Sequence, residues 1–447
     1  NGNWLAFTYK DMIEFARRIG EFLVKNGLKP GERAAILGEN RPEWGTAYFG
    51  ILWAGGVVVP LDSRASPEQW AHILRHAEAK FIFVTPKYRK DAEEILNQVD
   101  TLKMIIGLDE SMDRPNIYEI RETIKEGISP IKRNRTDLAV LLYTSGTEGA
   151  SKGVMLSHGN LLANIEQCAK VFHDCDETDR FFSVLPIHHV YESTGCFLAP
   201  ISFGAMITYS RSLRSHEMLE DMQATEPTFF VVVPLLLEKL YKGILRNVSK
   251  LSVFKRMIFH TMRGISGLTL GKLGKPLFSS VREKLGLGKI KCIVSGGSAL
   301  PYWLSKELER MGFPVYQGYG LSETSPVVAV NPLDAPRNRS VGKPVEGCEI
   351  KIHEPDENGI GEILVRGPNV MLGYYKNEEA TKEVIRDGWL YTGDMGFIDK
   401  DGYLYITGRK KSVIVTRGGK NIYPEEIECL LTSSRFISEC LVIGKLH

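Results

Sequence analysis

The chain has no excess of either charge, no paired-cysteine motif and no apolar run long enough to cross a bilayer. Over 447 residues, 56 basic side chains face 54 acidic ones for a formal net charge of +2. No global field therefore draws it to nucleic acid. The seven cysteines (Cys168, Cys175, Cys196, Cys292, Cys348, Cys429 and Cys440) never form Cys-x-x-Cys. Such scatter argues against a zinc site or a disulfide framework and fits a reducing cytosol, with the thiols as small buried residues. A membrane-spanning helix needs roughly 18 apolar residues in a row, and the longest candidate, Phe229 to Leu237, is broken by Pro234. Internal repeats and low-complexity tracts are absent too. No signal peptide opens the sequence, and a start at Asn1 without Met suggests missing upstream residues. The expectation is a soluble cytoplasmic protein, seen as a fragment. With 43% hydrophobic residues, it can bury large cores in more than one domain.

What is there begins with an amphipathic helix. Thr8 caps it, and Met12, Phe15, Ile19, Phe22 and Leu23 repeat at helical spacing until Gly27. Strand signals at Ala34–Leu37, Val57–Pro60, Phe81–Thr85 and Met104–Leu108 alternate with helical patterns at Trp44–Ala54, Pro67–Ala77 and Lys90–Gln98. Such alternation predicts a parallel sheet covered on both faces. A second α/β layer follows from helix Asn160–Val171, strand Arg180–Val184, helix Tyr191–Phe203 and strands Met206–Tyr209 and Thr228–Val233. Leu235 to Leu273 reads as helical with a basic outer surface (Lys239, Lys242, Arg246, Lys250, Lys255, Arg256). A solvated face is the preferred reading there and a peripheral membrane contact the lesser one. From Val341 the texture changes to short strands and glycine turns, a small twisted β-barrel-like unit. Strand Val413–Thr416, helix Pro424–Ser433 and strand Glu439–Ile443 then open a small α+β domain that the sequence truncates. The predicted organisation is a large α/β N-terminal domain over 1–409, built from two parallel-rich α/β layers (1–135 and 136–340) and a β unit (341–409). Residues 410–447 start the small C-terminal domain.

The chemistry concentrates in six stretches. Tyr143-Thr-Ser-Gly-Thr-Glu-Gly-Ala-Ser-Lys-Gly153 follows the apolar run Leu138 to Leu142. Its glycines let backbone N–H groups approach an anion, its hydroxyls donate and Lys152 adds charge, which suits a polyphosphate. It is not the common nucleotide loop, since Gly-x-x-x-x-Gly-Lys-Ser/Thr fits at no register. Leu185-Pro-Ile-His-His-Val-Tyr-Glu-Ser193 places two histidines at a strand end, where ligands collect in α/β sheets. Ser295-Gly-Gly-Ser-Ala-Leu-Pro301 allows close approach of a flat ring or a phosphate, although an ordinary tight turn explains it nearly as well. Tyr316-Gln-Gly-Tyr-Gly-Leu-Ser-Glu-Thr324 offers a stacking ring in Tyr319, a donor in Ser322 and a hard carboxylate in Glu323. Trp389-Leu-Tyr-Thr-Gly-Asp394 offers a carboxylate for two vicinal hydroxyls, or merely a turn aspartate. Gly408-Arg-Lys-Lys through Tyr423-Pro424 packs cations and glycines between the β unit and the last segment, which on its own reads as a basic, flexible linker.

In this order, from about Thr8 to His447, the stretches resemble the adenylate-forming superfamily of acyl-CoA synthetases, coumarate-CoA ligases, luciferase and peptide-synthetase adenylation domains. The resemblance implies that a carboxylate attacks the α-phosphate of Mg·ATP, releasing pyrophosphate, and that a thiol, usually coenzyme A, then takes the acyl group. It implies that Thr144, Ser145, Gly146, Thr147 and Lys152 hold the β- and γ-phosphates and that His189 lies beside the acyl carboxylate. Gly296, Gly297 and Ser298 line the adenine slot, while Tyr319, followed by Gly320, stacks on the ring. Ser322 meets the α-phosphate, Glu323 ligates Mg²⁺ with Thr144 as a second metal contact, and Asp394 and Arg409 hold the ribose. Lys411 marks a hinge, and Gly419 lies along the pantetheine tunnel. Two departures stand out. Glu148 and Ser151 replace a usual threonine and proline, and an extra carboxylate near polyphosphate is unfavourable unless it points away. A family lysine is expected beyond His447.

His188-His189-Val190-Tyr191-Glu192 and the long helical insertion before Ser295 look most like bacterial long-chain fatty acyl-CoA ligases. No aspartate occurs between Phe181 and Met218 to hold a substrate amine. An apolar acyl pocket using Tyr191, Gly195, Val294 and Val327 is expected. The resemblance makes fatty acid, ATP and CoA the partners, excludes nucleic acid and leaves a homodimer open. Delivery of the acyl group to a carrier protein, or nucleotide binding without turnover, are the alternatives.

Overall fold

A computed structural model describes residues 4–113, 115–144, 151–269, 271–415, 421–431, 437 and 439–444. The first helix, Tyr9–Lys25, starts where the Thr8 side chain accepts from Asp11 N and the Asp11 carboxylate answers at Thr8 N, a reciprocal cap. Its apolar stripe, Phe15, Ile19 and Leu23, packs on helix Pro42–Trp53. Beneath lie Arg33–Leu37, Val57–Pro60, Ala79–Val84 and Met104–Gly107, parallel to one another. Their central residues are buried on both faces, which is why they read as unbroken apolar runs rather than as alternation.

This sheet does not stop at residue 135. Leu138–Thr144 adds a fifth parallel strand beside Val57–Pro60, and Lys152–Ser157 folds back antiparallel on it. Gly373–Tyr374, from the expected β unit, closes the edge to make seven strands. Both inner boundaries of the predicted large domain are therefore crossed by sheet pairing. The pairing that recruits Gly373–Tyr374 joins residues more than 200 positions apart, and no local pattern announces it.

The second sheet also has seven strands. Arg180–Ser183 runs parallel to Met206–Tyr209 and Phe229–Val232, followed by Cys292–Ser295 and Val315–Gly320. Val327–Val330 and Lys343–Pro344 complete it antiparallel. The smaller unit is an antiparallel sheet of Glu349–His353, Gly361–Arg366, Trp389–Ile398 and Ile385–Arg386, with Leu404–Arg409 on Trp389–Ile398. A mixed α/β region followed by a smaller C-terminal one is the architecture the alternating pattern predicts.

Other local readings need correction. Trp389 to Asp394 is the start of a ten-residue strand, not a turn. Helix Val190–Phe203 passes through a wider π turn at Ser193–Leu198. The stretch from Leu235 is two helices, Pro234–Ser249 and Val253–Leu268. In the C-terminal segment Ile414–Val415 pairs with Asn421–Ile422 and helix Pro424–Leu431 follows, but residues 439–444 form no strand. Among the described residues no helix is long and apolar enough to cross a membrane. The described cysteines carry free thiols, with Cys168, Cys196, Cys292 and Cys348 buried.

The two halves are held by aromatic packing. Phe197 lies edge-on to Trp44 and Tyr48, with centroids 5.8 and 5.5 Å away. A side chain at Gly45 would place its Cβ 2.7 Å from the Phe197 ring, so glycine sets this approach. Replacing Phe197 with Ala should cost about 3–5 kcal/mol, measured as a lower denaturant midpoint at unchanged m-value.

Candidate active site

The parallel strands of the second sheet end on one edge, where ligands gather. Ser295 lies opposite Gln317, so Gly296, Gly297 and Ser298 leave the sheet beside Gly318 and Tyr319. Gly296 sits against Tyr191, with an added Cβ only 3.0 Å from that ring. Gly297 turns through φ +79°, and Ser298 is exposed. At Gly320 a Cβ would lie 1.9 Å from the Pro326 carbonyl oxygen; only glycine lets the chain fold back there.

Tyr319 O–H donates to Asp394 Oδ2 at 2.6 Å, and Arg409 Nε meets Oδ1 at 2.9 Å. Asp394 and Arg409 face each other across the antiparallel pair Trp389–Ile398 and Leu404–Arg409, so the sheet register aligns them. Burial pushes the Asp394 carboxyl above its ordinary range, with Arg409 and the Tyr319 hydroxyl opposing that rise. The charge of Glu323 adds to it, which places the two carboxylates in one neighbourhood. The Arg409 side chain is 56% exposed, so solvent screens the pair and its worth lies in aligning Asp394 rather than in stability.

Glu323 rides on the short turn Ser322–Thr324, anchored beneath. Thr324 and Ser325 are buried, Ser325 Oγ donates to Asn369 O at 2.9 Å, and Asn369 Nδ2 donates to Thr324 O and Val327 O at 3.0 and 2.9 Å. Met371 N donates to Glu323 O at 2.8 Å. Tyr374 O–H donates to Glu323 Oε1 at 2.8 Å, and Lys152 Nζ lies 5.2 Å from the centre of that same ring. Thr144 faces Lys152 across its strand pair. The two ends of the phosphate-type loop thus arrive beside Glu323. Ser145, Gly146, Thr147, Glu148 and Gly419 lie outside the described residues.

His189 follows the end of Arg180–Ser183, in a loop that the first sheet grips. Asn40 Nδ2 donates to Ser183 Oγ and Leu185 O at 2.9 and 2.6 Å, while Ile187 N donates to Asn40 Oδ1 at 2.9 Å. Arg64 Nη2 lies 3.3 Å from His189 Nε2, and Asp62 Oδ1 lies 3.2 Å from His188 Nε2. Burial lowers both histidine pKa values despite the Asp62 charge, so both rings are neutral near pH 7. For Asp62, burial works against ionisation, but the Arg64 N–H and the charges around it prevail and lower its pKa.

Tyr191, two residues past His189, lines an apolar cavity together with Gly195, Val294, Val327, Phe181 and Phe229. Tyr191 O–H donates to Val294 O at 3.1 Å, tying the cavity wall to the strand that delivers Gly296.

The structure therefore brings Tyr319, Asp394 and Arg409 together, and Lys152, Thr144 and Glu323 together. Gly296–Ser298 and His189 stand on the same sheet edge. Lys411 is exposed in the turn Lys410–Ser412, and its neighbour Lys410 pairs with the buried Glu362 at 2.7 Å. Sequence reasoning missed Tyr374, Asp62 and Arg64. Asp62 does follow a strand end, the one available signal; nothing local marks Tyr374.

Glu192, fully buried under the histidine loop, accepts from Ser183 Oγ at 2.6 Å and Val184 N at 3.1 Å. Burial pushes its pKa up to about 8. The folded state thus holds a proton that the unfolded chain releases near pH 4.3. The stabilisation is complete below that value and lost as pH rises through about 8. Wild type should melt lower at about pH 8.5 than at pH 5.5, and Glu192→Gln should remove most of that difference in a thermal-melt series.

The comparisons agree with this geometry. The family described as AMP-binding enzyme matches residues 2–375. Among curated proteins the chain is 32% identical over 470 residues to the long-chain-fatty-acid–CoA ligase FadD15 of Mycobacterium bovis, covering 99% of this chain and 76% of that protein. It is 32% identical over 480 residues to the long-chain-fatty-acid–CoA ligase ACSBG2 of Gallus gallus, again over 99% of this chain but only 62% of the relative's length. The ATP-bound crystal structure of MatB from Rhodopseudomonas palustris superposes with a TM-score of 0.81 at 28% identity, over 98% of this chain and 80% of that one. Family match, fold and grouped strand-end residues lead to one conclusion: the chain belongs to the AMP-binding enzyme family of adenylate-forming ligases.

Proposed function

We propose that this chain forms the nucleotide- and acyl-binding part of an AMP-forming acid–thiol ligase whose substrate is a long-chain fatty acid and whose thiol is coenzyme A. The observation that carries the reading is the convergence of residues from three sheets: Tyr319–Asp394–Arg409, Glu323–Tyr374–Lys152, and an apolar cavity that Tyr191, two residues past His189, helps to line. In the first step a carboxylate oxygen bonds to the α-phosphorus of ATP, the bond to the bridging oxygen breaks, and pyrophosphate leaves with the electron pair. In the second the thiol sulfur bonds to the acyl carbon, loses its proton, and AMP departs.

Each residue has a role of holding rather than of strong acid–base work. Asp394, aligned by Arg409, accepts from ribose hydroxyls, and Tyr319 with Gly296, Gly297, Ser298 and Gly320 flanks the adenine. Lys152 and Thr144, with Ser145, Gly146 and Thr147 between them, take the β- and γ-phosphates. Ser322 donates to the α-phosphate, and His189, neutral and fixed by Arg64, stands beside the acyl carboxylate. A magnesium ion fits the all-oxygen donor pair of Glu323 and Thr144. When bound, it would neutralise phosphate charge. Residues 1–409 would act as the large unit and 410–447 as the start of the small one, with Lys411 at the hinge and Gly419 along the thiol's path.

Pyrophosphate release by the full-length protein, across acids from acetate to stearate with and without coenzyme A, tests the reading. Release should rise with chain length, and acyl-CoA should form only when CoA is present. Asp394→Ala should raise the KM for ATP about tenfold, as the loss of a charged hydrogen bond predicts; an unchanged KM contradicts the ribose role. Glu323→Gln should lower kcat about tenfold or more at limiting Mg²⁺. Gly195→Leu, which intrudes on the cavity, should shift preference towards shorter acids, read from kcat/KM across the acid series.

A further inference from the structure

Residues 234–289 carry twelve Lys and Arg against two Glu, while the rest of the chain holds 44 basic and 52 acidic residues. The near-neutral total therefore hides one strongly basic region, and that region also bears exposed apolar side chains. On helix Val253–Leu268, Val253 is 71% exposed, Phe254 67%, Met257 60% and Leu268 87%, with Ile258 and Ile265 also exposed. At 100° per residue these six fall within an arc of about 140°. The opposite side of the helix buries Phe259 and Ser266 and sends Arg263 to Glu307 at 2.6 Å. The exposed apolar arc is thus not the core-facing stripe but a second one, turned outward.

Its flanks are cationic. Lys255 lies just beyond one margin and Arg256 beyond the other, with Lys250 at the helix entrance; all three are exposed. The sole acid of the two helices Pro234–Ser249 and Val253–Leu268 is Glu238, and Lys242 engages it at 2.5 Å. A solvated basic helix accounts for the charge but not for a large phenylalanine, a methionine and a leucine left in water, since contiguous exposed apolar surface marks a docking site. An apolar stripe between cationic margins is the form of a helix that lies in a bilayer interface. A second copy of the chain fits less well, because an isologous contact would bring two such basic faces together.

We propose that helix Val253–Leu268 is an interfacial anchor that seats this protein on an anionic lipid surface. Phe254, Met257 and Leu268 enter the acyl boundary, while Lys250, Lys255 and Arg256 meet the phosphates of the headgroups.

The test incubates the full-length protein with phosphatidylcholine vesicles, with and without about 30 mol% phosphatidylglycerol, and measures the sedimented fraction. Binding to the anionic vesicles should exceed binding to neutral ones about tenfold and fall steeply with added salt. The double variant F254D/M257D should lose that binding while keeping the wild-type circular dichroism and melting temperature, since both side chains are exposed. K255E/R256E should lose the preference for anionic vesicles. Absence of binding to anionic vesicles overturns the proposal, as does binding that F254D/M257D leaves unchanged. If F254D/M257D instead turns a dimer into a monomer by light scattering with no change at vesicles, the face belongs to a second copy and the anchor is wrong.

Discussion

Residues Pro368 to Tyr375 act as a strap on which both halves of the ligand site depend. Asn160 Nδ2 donates to Pro368 O and Val370 O, fixing the strap to the helix after the hairpin. Asn369 pins the backbone under Glu323, and Met371 N reaches the Glu323 carbonyl. Leu372 N and Tyr375 N then donate to Met155 O and Gly153 O on the strand that begins at Lys152. These are buried or part-buried bonds to main-chain carbonyls, whose loss would leave partly desolvated groups unpaired. Eight residues thus set the spacing between Lys152 and Glu323, two side chains from different sheets. Tyr374, at the end of the strap, touches both.

Electrostatics follows from that placement. Burial raises the Asp394 carboxyl and the Tyr319 and Tyr374 hydroxyls above their ordinary ranges. Two carboxylates, Glu323 and Asp394, share the neighbourhood with Glu362, and each has a donor already in place. Tyr374 serves Glu323, Tyr319 and Arg409 serve Asp394, and Lys410 with Gly393 N serves Glu362. Under the proposed function, such a preset arrangement would align oxygens for hydroxyl and cation ligands without reorganisation at the moment of reaction. The neutral His188–His189 pair contributes shape and donors rather than charge.

At the strand ends of the candidate site, the sequence was partly legible. Tyr319, Glu323 and Asp394 stood out as a ring and two carboxylates beside glycines, but each also had a plain structural reading until the family resemblance gave it a role, and Arg409's role came from that resemblance alone. The parallel strands themselves read almost residue for residue. What was hidden is what depends on distant pairing. Gly373–Tyr374 joins the hairpin at Val154–Met155 across more than 200 residues, so neither the strap nor Tyr374's role has a local signature. The strand from Trp389 was not expected, since Gly393 inside it reads equally as a turn residue; in the structure it keeps φ +71° within the strand. The outward apolar arc of Val253–Leu268 was masked by its own basic margins, which read as an ordinary solvated face. Asp62 and Arg64 act on a loop of the second sheet more than 120 residues further along the chain.

The central claim is that this site joins a carboxylate to the α-phosphate of ATP. Isotope tracing is its most direct measurement. A fatty acid labelled with ¹⁸O in its carboxylate is incubated with the full-length protein, ATP, Mg²⁺ and coenzyme A, and the nucleotide and phosphate products are weighed by mass spectrometry. The account predicts one ¹⁸O in AMP and none in pyrophosphate, because the attacking oxygen stays with phosphorus when the thiol takes the acyl group. Unlabelled AMP, or label in inorganic phosphate alongside ADP, would contradict it.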